Sequence, residues 1–327
     1  MRRSVALAAV WSVSRGFRSP TRLLARRREE SERIEGSEAG LINWYPGHIA
    51  KAERQLEDSI RRVDVVVEAR DARVARSTAH PSVPAWVGSR PRVVAYTFAD
   101  AVPPAALSEW RRAEPEAVFL DAKRGKGDLP GLKARVRAAG RAVNDKRQAK
   151  GVRPRAARAA VIGFPNVGKS ALVNCLCGRR AAKTENRAGV TRSLNWVRAP
   201  GFELLDSPGI IPARQMDQRA AARLAMCGDV GAAAYDKTLV AAALLRTIIA
   251  LPPRYAPHAL ERLRKRAGDA DLSDADAFLQ DFADLRYAGD AVNAAMVILA
   301  DFRNGRLGPV ALEEPLSDDA DDLIFGQ

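Results

Sequence analysis

The sequence predicts an α/β fold: a doubly wound domain with a mostly parallel sheet and helices on both faces, followed by a small all-helical C-terminal domain. Three observations predict it. Five short apolar runs read as strands, and helical patterns separate them. Beyond about Gln218 the strand signals stop, while Ala, Leu and Arg recur at helical spacing.

The strands are "VDVVVEA" (Val63–Ala69), "RVVAY" (Arg92–Tyr96), "AVFL" (Ala117–Leu120), "RAAVIG" (Arg158–Gly163) and "FELLD" (Phe202–Asp206). Nearly continuous apolar runs suit strands covered on both faces. Ala105–Arg112 and Leu132–Val143 read as intervening helices, and "LVAAALLRTIIALP" as a helix of the second domain. Breaks are expected at Pro252–Pro253 and Gly289. The boundaries are therefore residues 1–40 for a leader and linker, 41–215 for the α/β domain, 216–312 for the helical domain and 313–327 for an acidic tail. The tail carries Glu313, Glu314, Asp318, Asp319, Asp321 and Asp322 and is expected to be solvated and mobile.

The 327-residue chain is 47% hydrophobic, enough for a sizeable core. No run reaches the roughly 18 apolar residues of a membrane span. Fifty-three Lys and Arg against 39 Asp and Glu give a net charge of +14, which favours a polyanionic partner, most often nucleic acid. High arginine usage and a removable leader are the alternative source of that charge. From Met1 to Arg28 there are eight Arg and no acid, the composition of an organelle transit peptide; a disordered basic arm is the other reading. Cys175, Cys177 and Cys227 are odd in number and lack paired metal spacing, so all three read as small core residues. His80 and His258 read as surface residues.

"VIGFPNVGKSALVNCL" (Val161–Leu176) carries the chemistry. Gly163-Phe-Pro-Asn-Val-Gly168-Lys169-Ser170 fits G-x-x-x-x-G-K-[ST], following a strand and opening a helix as a phosphate-binding P-loop requires. The backbone N–H groups from Gly163 through Asn166, Val167, Gly168, Lys169, Ser170 and Ala171 are expected to turn toward phosphate oxygens at a helix N-terminus. Lys169 is expected on the β and γ phosphates and Ser170 on Mg²⁺. "DSPG" (Asp206–Gly209) ends a later strand: Asp206 suits the Mg²⁺ shell, and the Gly209 N–H suits the γ phosphate. Thr191 in "RAGVTRS" supplies a hydroxyl for the same metal from a loop. Cradle, Thr191 and Asp206–Gly209 in that order indicate a GTPase-type switch protein. A P-loop ATPase or kinase fits the cradle but not the other two.

A guanine reader is normally Asn-Lys-x-Asp after a strand, and nothing beyond Gly209 fits. Upstream, "VVAYTFAD" ends at Asp100, a carboxylate suited to guanine N1 and N2. Ala122 and Lys123 in "FLDAKRGKG" stand where a backbone N–H can meet guanine O6. The base-reading half thus precedes the phosphate-reading half, and the domain is a circularly permuted P-loop GTPase domain.

On these motifs the chain resembles the YlqF/YawG family of circularly permuted GTPases, most of all its ribosome biogenesis GTPase A and mitochondrial ribosome-associated GTPase 1 branch. The match runs through "WYPGHIAKA" (Trp44–Ala52), "DAR" (Asp71–Arg73), "KGVRPRAARAAVIGFPNVGKS", "DSPGI" and "ILADFRNGRLGPVALEEP" (Ile298–Pro315). The resemblance implies a GTPase that binds GTP and GDP and helps mature the large ribosomal subunit by binding its rRNA. Organelle members serve mitochondrial or plastid ribosomes. With the basic leader, this points to the mitochondrion, in the matrix or associated with the inner membrane, and to the plastid as the alternative. The chain departs from the family where Thr97-Phe98-Ala99-Asp100 replaces Asn-Lys-x-Asp. Asp100 survives. Thr97 reads as a poor substitute for the loop-bracing Asn, and Phe98 is left to cover the base with its ring. Weaker nucleotide affinity and reduced guanine selectivity are expected. Asp121 stands where Ser is more usual.

Ile210 follows the DxxG glycine and cannot orient water as a Gln would. His48, after the Pro-Gly pair of "YPGH", is the catalytic candidate, on an arm expected to be flexible. The resemblance agrees, since the family's matching His is its proposed catalytic residue; a structural or RNA-contacting role is the alternative. In similar GTPases an Asn at the position of Asn166 helps seat K⁺; a simple loop amide is the alternative. Ten Lys or Arg and one acid lie between Lys133 and Arg158, a candidate rRNA surface, as are Arg262, Arg264, Lys265 and Arg266. The rival to a ribosome-activated GTPase is a nucleotide-gated RNA-binding assembly factor with little or no hydrolysis.

Overall fold

A computed structural model describes residues 46–181, 195–207, 209, 218–268, 272 and 274–315, with side chains from Glu53 onward. Seven strands form one sheet in the order β4-β3-β2-β1-β5-β7-β6. β1 (Val65–Asp71), β2 (Arg92–Thr97), β3 (Val118–Asp121), β5 (Ala157–Ile162) and β7 (Phe202–Asp206) pair in parallel. Two antiparallel strands close the edges: β4 (Lys126–Gly127) beside β3, and β6 (Asn195–Ala199) beside β7.

All seven residues of β1 are buried, as a central strand covered on both faces requires. On one face Val65, Val67 and Ala69 of β1 pack with α4 (Leu129–Gln148) and α5 (Lys169–Cys177). On the other, Val66, Ala160, Ile162 and Leu205 pack with α1 (Pro46–Ile60) and α2 (Val83–Val87). A third cluster joins Tyr96 and Phe119 to Trp110 of α3 (Pro104–Ala113). The buried stripe of α4 is Leu132, Val136, Ala139 and Gly140, a helical repeat. Gly140 lets α4 approach β5: a Cβ there would lie 2.3 Å from that of Ala157.

The helical region contains α6 (Gln218–Cys227), α7 (Lys237–Ala250), α8 (Ala259–Ala267), α9 (Ala275–Tyr287) and α10 (Ala291–Arg303). Asp236, Asp274 and Asp290 cap α7, α9 and α10 by accepting backbone N–H bonds. The expected breaks fall at Pro252 after α7 and at Ala288–Gly289 after α9, where Ala288 and Gly289 have positive φ. Among the described residues no helix is long and apolar enough to cross a membrane.

Four expectations change. The Pro46-Gly47 pair opens α1, so His48 sits in the first turn of a helix rather than on a free arm. His80 is not on the surface. It is buried, 4.6 Å from the Trp86 ring and 5.9 Å from that of Phe164, and burial pushes its pKa down to about 4. Cys177 and Cys227 are buried, but Cys175 is half-buried and its Sγ–H donates to Ala122 O at 2.6 Å. Glu313 is not part of a solvated tail: it is 3% exposed and accepts from Arg76 N (2.6 Å), from Ser77 N (3.2 Å) and from the Ser77 hydroxyl. The preceding residues are pinned too, by Val310 N to Ala101 O, Ala311 N to Tyr255 O and Leu312 N to Arg73 O. The leader, Thr191 and residues 316–327 lie outside the described residues.

Candidate nucleotide site

The chain lays β1, β2 and β3 outward in one direction and then places β5 and β7 on the other side of β1. The order reverses between β1 and β5. In open α/β sheets ligands bind at that switch point, beyond the carboxyl ends of the strands. There the sequence puts Asp71, Thr97, Asp121, Gly163 and Asp206, each at or just past the end of a parallel strand.

The loop after β5 has the backbone of a phosphate cradle. Gly163 has φ 145°, and a Cβ on it would meet Ala69 O at 2.3 Å. Asn166 and Gly168 are left-handed, with φ 56° and 85°, and Gly168 caps α5. Val167 is buried, Ala171 packs against the core, and Lys169 and Ser170 begin α5. Gly209 lies against this loop: a Cβ on it would come 2.5 Å from Pro165 Cα. The cradle and the DxxG glycine are therefore in van der Waals contact.

Lys169 is 6% exposed and its Nζ donates to Phe164 O at 2.6 Å. Burial pulls its pKa down to about 8, with the Asp206 and Asp229 carboxylates opposing. Asp206 is buried at the end of β7, which pushes its carboxyl up, while Lys169 and a hydrogen bond from Ser170 pull it back. Its Oδ1 is buried and has no hydrogen-bond partner among the described residues. A hydroxyl and an orphaned carboxylate oxygen beside a phosphate cradle fit the oxygen donor set of Mg²⁺. Asn166 Nδ2 donates to Gly228 O at 2.6 Å, which ties the cradle to the turn after α6.

The base-reading candidates reach the same place from the other half of the chain. The Thr97 hydroxyl donates to Val167 O at 2.6 Å, and Arg70 O lies 3.0 Å away as its second acceptor. A Cβ on Gly168 would be 3.4 Å from the Thr97 side chain. Thr97 thus links the end of β2 to the cradle through its hydroxyl, where the two loops touch. Phe98 adopts φ 54°, and its ring lies 4.4 Å from the Arg73 guanidinium. Asp100 is exposed in the short turn Ala99–Ala101 and is held by Arg124 Nη1 at 3.1 Å. Arg124 also reaches Asp121 at 3.2 Å. Asp121 Oδ1 accepts the N–H of Lys123 and of Arg124, each at 3.0 Å. Of the two residues expected to offer an N–H to the base, Lys123 has its own committed to Asp121. Ala122 is buried, its carbonyl held by Cys175.

The sequence reading gave no role to three residues found here. Asp71 and Arg73 form a buried bidentate pair (2.6 and 3.0 Å) beneath Phe98. The Asp71 carboxylate keeps the guanidinium charged against the cost of burial. Asp229 is fully buried beside Asp71, and burial, with the Asp71 charge, pushes its carboxyl well up. "DAR" was visible as a motif, but an acid inside "CGDVG" carries no sequence signal for a site.

The model of a family described as "50S ribosome-binding GTPase" matches residues 158–249, beginning in β5, so β1 to β4 all precede it. Ribosome biogenesis GTPase A of Bacillus pumilus (strain SAFR-032) is 32% identical over 287 residues, which span 84% of this chain and 99% of that protein. Short integuments 2, mitochondrial, of Arabidopsis thaliana is 31% identical over 212 residues, 59% of this chain and 53% of that protein. A GDP-bound structure of TM YlqF shares the fold, with a TM-score of 0.52 at 22% identity over 80% of this chain and 99% of that one. The chain therefore belongs to the ribosome biogenesis GTPase A family, the YlqF family of circularly permuted GTPases.

Proposed function

We propose that the protein binds and hydrolyses GTP, and that this cycle times its action in assembly of the large ribosomal subunit. The observation that carries the reading is the 2.6 Å bond from Thr97 to Val167, because it joins the base-reading and phosphate-reading loops into one site. In this reading the cradle N–H groups from Gly163 to Ala171, with Lys169 and Gly209, hold the phosphates. The Asp100 carboxylate turns from Arg124 to guanine N1 and N2, the Ala122 N–H meets O6, and Phe98 covers the base over Arg73.

Ser170, Thr191 and Asp206 would hold Mg²⁺, which when bound neutralises phosphate charge. Asn166 Oδ1 is the acceptor that K⁺ would use, its Nδ2 being engaged by Gly228. His48 orients the attacking water, a role left open by Ile210. The mitochondrial name of the Arabidopsis relative and the acid-free basic leader support an organellar ribosome, in the mitochondrion before the plastid. The charge of +14, with the cations of α4 and α8, supports contact with rRNA phosphates.

GTP turnover with and without large ribosomal subunits tests the reading. Stimulation by the subunits supports it. Nucleotide-dependent subunit binding without turnover would favour the rival assembly factor.

A further inference from the structure

Residues 310–313 form a strap that lies outside any helix or strand, yet Val310, Ala311, Leu312 and Glu313 are each no more than 3% exposed. Buried backbone of this kind must find its own hydrogen-bond partners. Val310 N donates to Ala101 O (2.9 Å), Ala311 N to Tyr255 O (2.9 Å) and Leu312 N to Arg73 O (2.8 Å). Glu313 ends the strap: its carboxylate accepts from Arg76 N at 2.6 Å, and its carbonyl from Trp110 Nε1 at 3.4 Å.

Two of these bonds reach the base-reading candidates. Ala101 is the last residue of the short turn Ala99–Ala101 that carries the exposed Asp100. The turn holds itself through Ala101 N to Phe98 O (2.9 Å) and the longer Val102 N to Ala99 O (3.4 Å). The Thr97 hydroxyl fixes its entry and the Val310 N–H its exit. Arg73, whose carbonyl Leu312 holds, lies 4.4 Å from the Phe98 ring and 5.5 Å from that of Phe302 in α10. The third bond reaches Tyr255, between α7 and α8, so the strap joins the base-reading turn to the helical region.

We propose that Val310 is a positioning residue for base recognition: through its N–H the strap fixes the Asp100 turn, so that guanine is read only while the strap is docked. The inference rests on the reading of Asp100 as the guanine acceptor. A carboxylate that must meet N1 and N2 together gains from a turn that is already ordered, because the ordering is not left to be done on binding. None of the strap bonds named above reaches the cradle, so phosphate binding should not depend on them. By linkage, guanine held at Asp100 tightens the strap in return.

Competition binding of GTP and ATP by the full chain tests it. Val310→Pro removes the N–H, and should lower GTP affinity about fivefold, the worth of one hydrogen bond, while leaving ATP affinity unchanged. The conservative Val310→Ala keeps the N–H. It should lower the unfolding midpoint through lost packing and retain the wild-type preference for GTP. In the wild-type chain, saturating GTP should slow amide exchange at Val310 relative to the amides of α9, whereas saturating inorganic tripolyphosphate, which offers the cradle no base, should not. That readout decides the matter if Val310→Pro does not fold. An unaltered preference for GTP in folded Val310→Pro, an equal loss of preference in Val310→Ala, or exchange at Val310 that answers tripolyphosphate as it answers GTP overturns the inference. Equal binding of GTP and ATP by the wild-type chain would instead remove the reading of Asp100, and the inference with it.

Discussion

The Thr97 hydroxyl donates to the carbonyl of Val167 across 2.6 Å, a hydrogen bond between residues 70 positions apart. It ties the end of β2 to the middle of the cradle, and Arg70 O extends the link to β1. Thr97→Val keeps the shape but leaves the buried Val167 carbonyl unpaired. It should weaken GTP binding by about fivefold and cost about 1 kcal/mol of stability. Thr97→Asn should preserve binding. Isothermal titration and thermal unfolding of the two variants check this.

Asp100 should decide the base. Hydrogen bonds to a charged group are worth about 1.5–3 kcal/mol. Asp100→Ala should therefore lower GTP affinity by roughly ten- to a hundredfold and leave ATP affinity unchanged. Arg124→Ala frees Asp100 from its 3.1 Å partner and should slightly favour GTP. Competition binding with the two nucleotides reads both effects.

Lys169 predicts a pH profile. Burial holds its pKa at about 8, and phosphate oxygens would raise it, so binding takes up a proton. GTP affinity should be steady near neutrality and fall as pH rises through about 8. Lys169→Met should bind weakly and lose that dependence. The linkage to folding has the opposite sense. The folded value lies below the ordinary 10.5, so the unfolded chain holds more protons between the two values, and stability attributable to Lys169 should rise with pH across that window.

Glu313 should be a stability residue. Glu313→Ala leaves the Arg76 and Ser77 N–H groups unpaired and Arg223 without its 3.5 Å acceptor. The expected loss is about 2–4 kcal/mol, with a fall of several degrees in the unfolding midpoint. Glu314, 44% exposed and 3.7 Å from Arg254, should tolerate Ala. Thermal unfolding compares them.

His48→Ala should leave GTP affinity within about twofold while lowering turnover on ribosomal subunits by roughly a hundredfold, the scale of general-base assistance. Single-turnover kinetics separate the two quantities. Unchanged turnover would return His48 to a structural role.

The parallel strands were legible because each is an apolar run buried on both faces. The edge strands were not. β4 is two exposed residues, and β6 carries Trp196 at 46% exposure under Arg158 rather than a buried run. The cradle was legible because its glycines and Lys169 have fixed spacing. The contact of Thr97 with the cradle was not legible, because it depends on how closely β2 approaches Val167, a tertiary distance. Glu313 was misjudged because local composition reads as tail, while its partners lie more than 230 residues away. Asp229 had no local signal, since only the fold brings it beside Asp71.

A crystal structure of the chain with a non-hydrolysable GTP analogue tests the central claim most directly. The account predicts one nucleotide bridging both halves, with guanine N1 and N2 on the Asp100 carboxylate and its β and γ phosphates on Lys169. A nucleotide seated on Lys169 with its base directed away from Asp100 would contradict it.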